Sequence, residues 1–194
     1  VRAVVLRYTN VTHLWEISNE VSGKTNTPNS LPPAAFASYL ATNWAWIHAL
    51  DPQAQVLLPG CLGGFGLPVT NGPMWLRQVI TNLNSLGRPG FDVMNYHDYK
   101  SWWALPLQYD AYKSVLAEFN LTNMPVWITE SACSTTNNAT SPPYASDDQQ
   151  AADVWRRSCL LFGKGADVFF WHSLYSSTIS SFAYQGLLNP VVGN

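Results

Sequence analysis

"MPVWITE", residues 124–130, is short, apolar on both faces and closed by a carboxylate, and what flanks it decides the architecture. Before it, residues 107–120 carry helical periodicity. After it, a polar segment at 131–146 leads into a second helix at roughly 147–163, with Ser146 or Asp147 as its cap. A strand apolar on both faces belongs inside a parallel sheet covered by helices. The same order recurs outward along the chain. "THLWEI" (12–17), "AQVLLPG" (54–60), "FDVMNYH" (91–97) and "ADVFFWHSL" (166–174) read as strands. "PPAAFASYLATNWAWIHALDP" (32–52) and "PMWLRQVITNLNSLG" (73–87) read as helices, the second with Pro73 in its first turn and Gly87 as its stop. Five strands alternating with helices predict an α/β fold of parallel βα units, with residues 1–194 as a single domain.

Composition narrows the function classes. Ten Lys and Arg stand against twelve Asp and Glu, a net charge of −2 with no basic block, so a nucleic-acid partner is not expected. The longest apolar runs fall well short of the roughly 20 residues that a membrane-spanning helix requires, so no membrane association is expected either. Nine Trp and nine Tyr suit a large core or a surface that stacks flat, neutral ligands such as sugars. Cys61, Cys133 and Cys159 are widely spaced, which argues against a disulfide framework or a zinc site and allows at most one bridge. No cofactor is expected. Cys133 lies close after Glu130, but no base is placed to activate its thiol.

The Gly/Ser/Asn/Pro-rich segments at 22–31, 60–73 and 131–146 all follow strands, which puts the long loops at the C-terminal edge of the sheet, where βα folds carry their chemistry. That edge collects Asn19 and Glu20 after the first strand, Asn95 to Tyr99 at the third, Glu130 at the fourth and Trp171-His172 at the fifth. Two carboxylates facing each other across such a rim are what glycoside hydrolysis needs. Glu16 falls on the same face as Glu20 if the strand stays regular, and reads as an inward structural carboxylate fixed by a basic neighbour. His97 and His172 fit a ligand-facing role and a satisfied core role equally. Trp102-Trp103 fits either a lid or the core, and the Trp-rich helix "NWAWIHAL" reads as packing.

These residues resemble the retaining glycoside hydrolases of the large (β/α)8-barrel superfamily called clan A. "WEISNE" looks like that group's fourth strand, where an Asn-Glu pair ends the strand and the Glu is the acid/base. "NYHDY" is similar to its sixth, "VWITES" to its seventh, where the Glu is the nucleophile, and "FFWHS" to its eighth, with about 110 residues between the two Glu. The resemblance implies Glu20 as acid/base, Glu130 as nucleophile, Tyr99 holding a Glu130 oxygen, and Asn19 on a sugar 2-hydroxyl. It also implies His97 as a donor to ligand, Trp171 as a platform under the sugar, and Trp102 and Trp103 as a further wall. No cluster of His and carboxylate residues has metal-ligand spacing, so no metal is expected.

It further implies a TIM-barrel-type fold that is incomplete. Residues 1–10 look like the end of the third helix, the first three βα units are missing, and the Arg that the family places on its second strand has no counterpart. An open sheet of this kind exposes edges, so a homo-oligomer, most simply a two-fold dimer, is expected to cover them. A carbohydrate substrate and an extracellular location follow from the resemblance. The alternative is a truncated, non-catalytic barrel fragment that binds carbohydrate or self-assembles.

Overall fold

The computed structural model describes residues 1–22, 31–62, 71–135, 146–175 and 185–188. Helix α1 (Arg2–Tyr8) precedes strand β1 (Leu14–Glu16), helix α2 (Pro33–Leu50) and strand β2 (Gln55–Leu57). Strand β3 (Cys61–Leu62), helix α3 (Asn71–Leu86), strand β4 (Met94–His97) and a 3₁₀ turn (Trp102–Ala104) follow. Helix α4 (Leu105–Glu118), strand β5 (Val126–Ser131), helix α5 (Asp147–Lys164) and strand β6 (Val168–Trp171) complete the described elements. Most of the three expected loop segments lies outside the described residues.

All paired strands are parallel, in a two-stranded sheet β1-β2 and a four-stranded sheet β3-β4-β5-β6. A parallel bridge between Leu57 and Val93 joins the two, so the strands follow one another across a single surface in chain order. The fold class is therefore the expected one: parallel βα units of a barrel. The expected strand at 54–60 is the main departure, because it is broken into β2 and β3 by Leu58-Pro59-Gly60. Pro59 has no N–H to give a ladder, and Gly60 lets the backbone approach another group. Here that group is the ring of His97: a Cβ on Gly60 would lie 2.0 Å from His97 Nε2.

Local chemistry explains the helix ends. The Ser146 hydroxyl accepts from the Gln149 N–H and caps α5, whose first turn carries Asp147 and Asp148 where the dipole favours them. Gly165, at φ 97°, ends α5, and Gly87, at φ 61°, follows α3. The core lies between the strands and α2, α3 and α4, through Phe36, Leu40, Leu76, Val79, Tyr112 and Leu116.

Aspartates hold the strands together at the N-terminal edge, opposite the candidate chemistry. Asp92 accepts from the Val56 N–H at 2.8 Å and also binds Trp44 and His48, which gives the Trp-rich helix the packing role expected of it. Asp167 accepts from the Val126 N–H at 2.8 Å, and Asp51 pairs with His13 at 2.9 Å. The outer strands are not buried on both faces as expected. Leu14 on β1 and Phe170 on β6 are exposed, as are Val4 and Leu6 on α1.

One ion pair is buried behind β4 and β5. Arg157 and Asp153 of α5 are both fully buried and bonded to each other. Close by, buried Asp98 accepts from the Lys100 N–H at 2.9 Å. Burial pushes the Asp98 carboxyl up to about 6, against the opposing pull of Lys100 and Arg157.

Two predictions follow from these contacts. Gly60→Ala has no room beside His97 and should cost about 1–3 kcal/mol of stability, read as a lower denaturant midpoint. For Asp98, the folded chain holds its proton to higher pH than the unfolded chain, so this contribution is complete below about pH 4 and is lost as pH rises through about 6. Asp98→Asn should therefore gain stability over the parent above pH 6 and little below pH 4, measured by urea unfolding across that range.

Candidate active site

The rim of the sheet brings Glu20, His97, Tyr99 and Glu130 together. β1 ends at Glu16, and the chain then turns sharply: Ser18 (φ 70°) and Glu20 (φ 52°) both adopt the left-handed conformation. Each such residue costs on the order of 1–3 kcal/mol unless the surroundings impose it. The turn corrects the expectation that Glu16 and Glu20 share a face through a regular strand. Glu20 instead reaches the site because the strand has already ended.

Glu16 is also held differently from the expectation. Its Oε1 accepts the Gly60 N–H at 2.9 Å, so a backbone amide, and not a basic side chain, fixes it. Glu16 as a residue is exposed, not inward as expected; partial withdrawal of its carboxyl from water still pushes it up, with the charges of Glu130 and Glu20 adding to the effect and the Gly60 bond and His97 opposing it.

His97 is the hub. Its ring is 1% exposed and lies against Gly60. Nδ1 is 2.8 Å from Glu20 Oε1 and 3.4 Å from Glu130 Oε2. A nitrogen facing two carboxylates carries its proton, and it donates to Glu20 at the shorter distance. Nε2 meets the Thr129 hydroxyl at 3.0 Å, and Thr129 in turn bonds to Asn95 Oδ1 at 2.9 Å. On the other side, the Tyr99 hydroxyl donates to Glu130 Oε2 at 2.5 Å. Burial and the two neighbouring carboxylates push the Tyr99 phenol far up, so it remains a donor.

One oxygen of Glu20 and one of Glu130 lie within 4.8 Å of each other, with His97 Nδ1 inside the same span. Glu20 comes from the turn after β1 and Glu130 from β5, whose register with β6 is irregular between Ile128 and Ser131. Both remain open to a ligand, with side chains 19% and 26% exposed. The sequence reading found no cluster with metal-ligand spacing. The fold brings these three groups near enough for a divalent ion, although hydrogen bonds between them already use the His97 proton.

The remaining expected residues are arranged around this cluster or apart from it. Trp171 ends β6 beside Ser131, half-buried, with its indole N–H on the Gln185 carbonyl at 2.8 Å. His172 meets the Tyr99 ring edge-on at 6.0 Å between centroids. Asn19 is exposed next to Glu20. Trp102 and Trp103 stack edge-to-face at 5.6 Å, Trp102 half-buried under the Arg156 guanidinium and Trp103 open to solvent. These two therefore pack with each other and α5, which is the core-like alternative for Trp102.

Cys133 is buried, and burial pushes its thiol up, away from nucleophilic use. Gly60 and Thr129 were not singled out by sequence reasoning, whereas Asn95 was among the polar residues expected at the rim, where strand alternation puts it on the same face as His97.

In solved structures, the chain is similar to a GH128 (subgroup II) endo-beta-1,3-glucanase from Sorangium cellulosum, with 15% identity, a TM-score of 0.66, and coverage of 94% of this chain and 69% of that one. It is similar to a GH128 (subgroup I) endo-beta-1,3-glucanase from Amycolatopsis mediterranei in complex with laminaritriose, with 20% identity, a TM-score of 0.64, and coverage of 96% and 72%. It is also similar to a GH39 beta-xylosidase from Caulobacter crescentus, with 15% identity, a TM-score of 0.62, and coverage of 95% and 40%. At these identities the likeness speaks for the fold. A comparison with curated proteins finds no match. The model of the family described as glycosyl hydrolase catalytic core matches residues 19–168, most of the chain, and the chain belongs to that family, on a (β/α)-barrel-type fold.

Proposed function

We propose that the chain hydrolyses β-glycosidic bonds in oligo- or polysaccharides with retention of configuration, Glu130 acting as nucleophile and Glu20 as acid/base. The observation that carries this reading is that an oxygen of Glu20 and an oxygen of Glu130 lie within 4.8 Å of each other. Retaining enzymes hold their carboxyl groups about 5–5.5 Å apart, whereas inverting enzymes need about 6.5–9.5 Å to admit a water.

The hydrogen bonds support the division of roles. Glu130 accepts from Tyr99 and faces the His97 N–H through one and the same oxygen, which leaves its other oxygen for the sugar. In the first step Glu130 attacks the anomeric carbon, the bond to the leaving oxygen breaks, and that oxygen takes the proton of Glu20. In the second, Glu20 removes a proton from water, the water oxygen bonds to the anomeric carbon, and Glu130 leaves as carboxylate. Asn19 is free to meet the sugar 2-hydroxyl and Trp171 to lie under the ring. The laminaritriose bound to the Amycolatopsis enzyme makes β-1,3-linked glucans the first substrates to try.

The exposed apolar residues on α1, β1 and β6 support the expected two-fold dimer. Light scattering should give twice the monomer mass, and a strictly monomeric chain would remove the dimer from the proposal.

Turnover should be sought on laminari-oligosaccharides and a panel of aryl β-glycosides. The first product, followed by NMR of its anomeric proton, should be the β-anomer; an α-anomer would replace retention with inversion. Glu130→Gln should abolish turnover, and Glu20→Gln should lower it by roughly 10²–10⁴-fold on unactivated substrates. Saturable binding of oligosaccharide with no product from the parent chain would favour a carbohydrate-binding fragment instead.

A further inference from the structure

Arg157 sits on α5, behind the carboxylates, with its side chain wholly buried. A guanidinium in that position is costly unless its charge and its donors are both matched. Asp153, one turn earlier and equally buried, accepts the hydrogen bond from Nε.

The rest of the fork is used on the active-site wall. Nη2 donates to the Lys100 carbonyl at 2.6 Å. Nη1 donates to the Ser131 hydroxyl at 3.0 Å and, at the limit of a bond, to the Asp98 carbonyl at 3.5 Å. The Ser131 hydroxyl itself donates to the Asp98 carbonyl at 2.6 Å. The acceptors are thus the peptides on either side of Tyr99, and the residue that follows Glu130.

β4 ends at His97, so the segment carrying Tyr99 lies beyond the regular ladder. The Asp98 N–H still reaches the Glu130 carbonyl at 3.0 Å, but the Asp98 and Lys100 carbonyls turn inward and need donors. A planar guanidinium can meet several acceptors at once, which a lysine ammonium on a flexible stem cannot do with the same geometry.

We infer that Arg157 is a positioning residue of the site: its guanidinium locks the Asp98–Lys100 segment to Ser131 and so sets the hydrogen bond from Tyr99 to Glu130. The catalytic consequence rests on the reading of Glu130 as nucleophile, but the hydrogen bond does not. Arg157 touches neither carboxylate of the pair and acts only through Tyr99 and the backbone.

The test uses the full chain labelled with [4-¹³C]tyrosine, in which the Cζ resonance of Tyr99, assigned by its loss in Tyr99→Phe, reports on the hydroxyl bond. Arg157→Lys keeps a cation for Asp153 but loses the fork, and should move the Tyr99 resonance toward that of solvated tyrosine while buried Tyr96 and Tyr112 stay in place. Ser131→Ala, which removes one arm of the network with little change in volume, should move it in the same direction and decides the matter if Arg157→Lys does not fold. A Tyr99 resonance that stays put, or one that moves only together with those of Tyr96 and Tyr112, overturns the inference.

On a cleaved substrate, Arg157→Lys should lower kcat roughly 10- to 100-fold with KM little changed. The Arg157→Lys/Tyr99→Phe double variant should lose no more than Tyr99→Phe alone, and additive losses would overturn action through Tyr99. A parent chain without turnover on any glycan defeats the proposed function and leaves the resonance to decide the role of Arg157.

Discussion

The buried ring of His97 is where the rim of this sheet is tied together. It is pressed against the Gly60 backbone on one side, and its two nitrogens bind Glu20 from the exit of β1 and Thr129 from β5. Three strands are thus referred to one imidazole. Glu130 lies 3.4 Å from the same Nδ1, so the separation of the two carboxylates is set by a group that is almost inaccessible to solvent. Without that tie, Glu20 would sit on a strained turn with nothing to fix its direction.

The arrangement divides the fold into two ends with different work. At the N-terminal edge, Asp51, Asp92 and Asp167 spend their carboxylates on structure, accepting backbone N–H groups and histidines that hold neighbouring elements in register. At the C-terminal edge, Glu20 and Glu130 keep part of their surface open to a ligand. Glu16 stands between these uses, near the pair but bonded to the amide of Gly60, the residue on which His97 rests. A buried layer lies behind the rim, where Arg157 and Ser131 satisfy the carbonyls that the end of β4 leaves without a ladder and Asp153 accepts from Arg157.

Much of this was legible in the chain, for reasons that differ from one residue to the next. Short strands such as "VWITE" announced themselves because burial on both faces leaves no place for polar residues until the strand ends, so the first carboxylate marks the rim. The helices announced themselves through Pro and Gly at their ends and through their periodicity. The break at Pro59-Gly60 was written in the sequence but was read as part of a strand. Trp102 was harder to read, because a tryptophan next to an active-site strand has the same letter whether it faces a sugar or, as here, an arginine.

The sequence by itself determined the order of strands and helices, their parallel arrangement, the end of the sheet where the polar residues collect, and the two carboxylates of interest, because these depend on patterns within a few residues or on motifs in a fixed order. Only the tertiary structure decided that an oxygen of Glu20 and an oxygen of Glu130 lie within 4.8 Å of each other, that Glu16 is held by a backbone amide, and that Arg157 stands behind Tyr99. Those facts depend on distances between groups far apart along the chain, and on turns such as Ser18 to Glu20 that take a conformation their residue types do not favour alone.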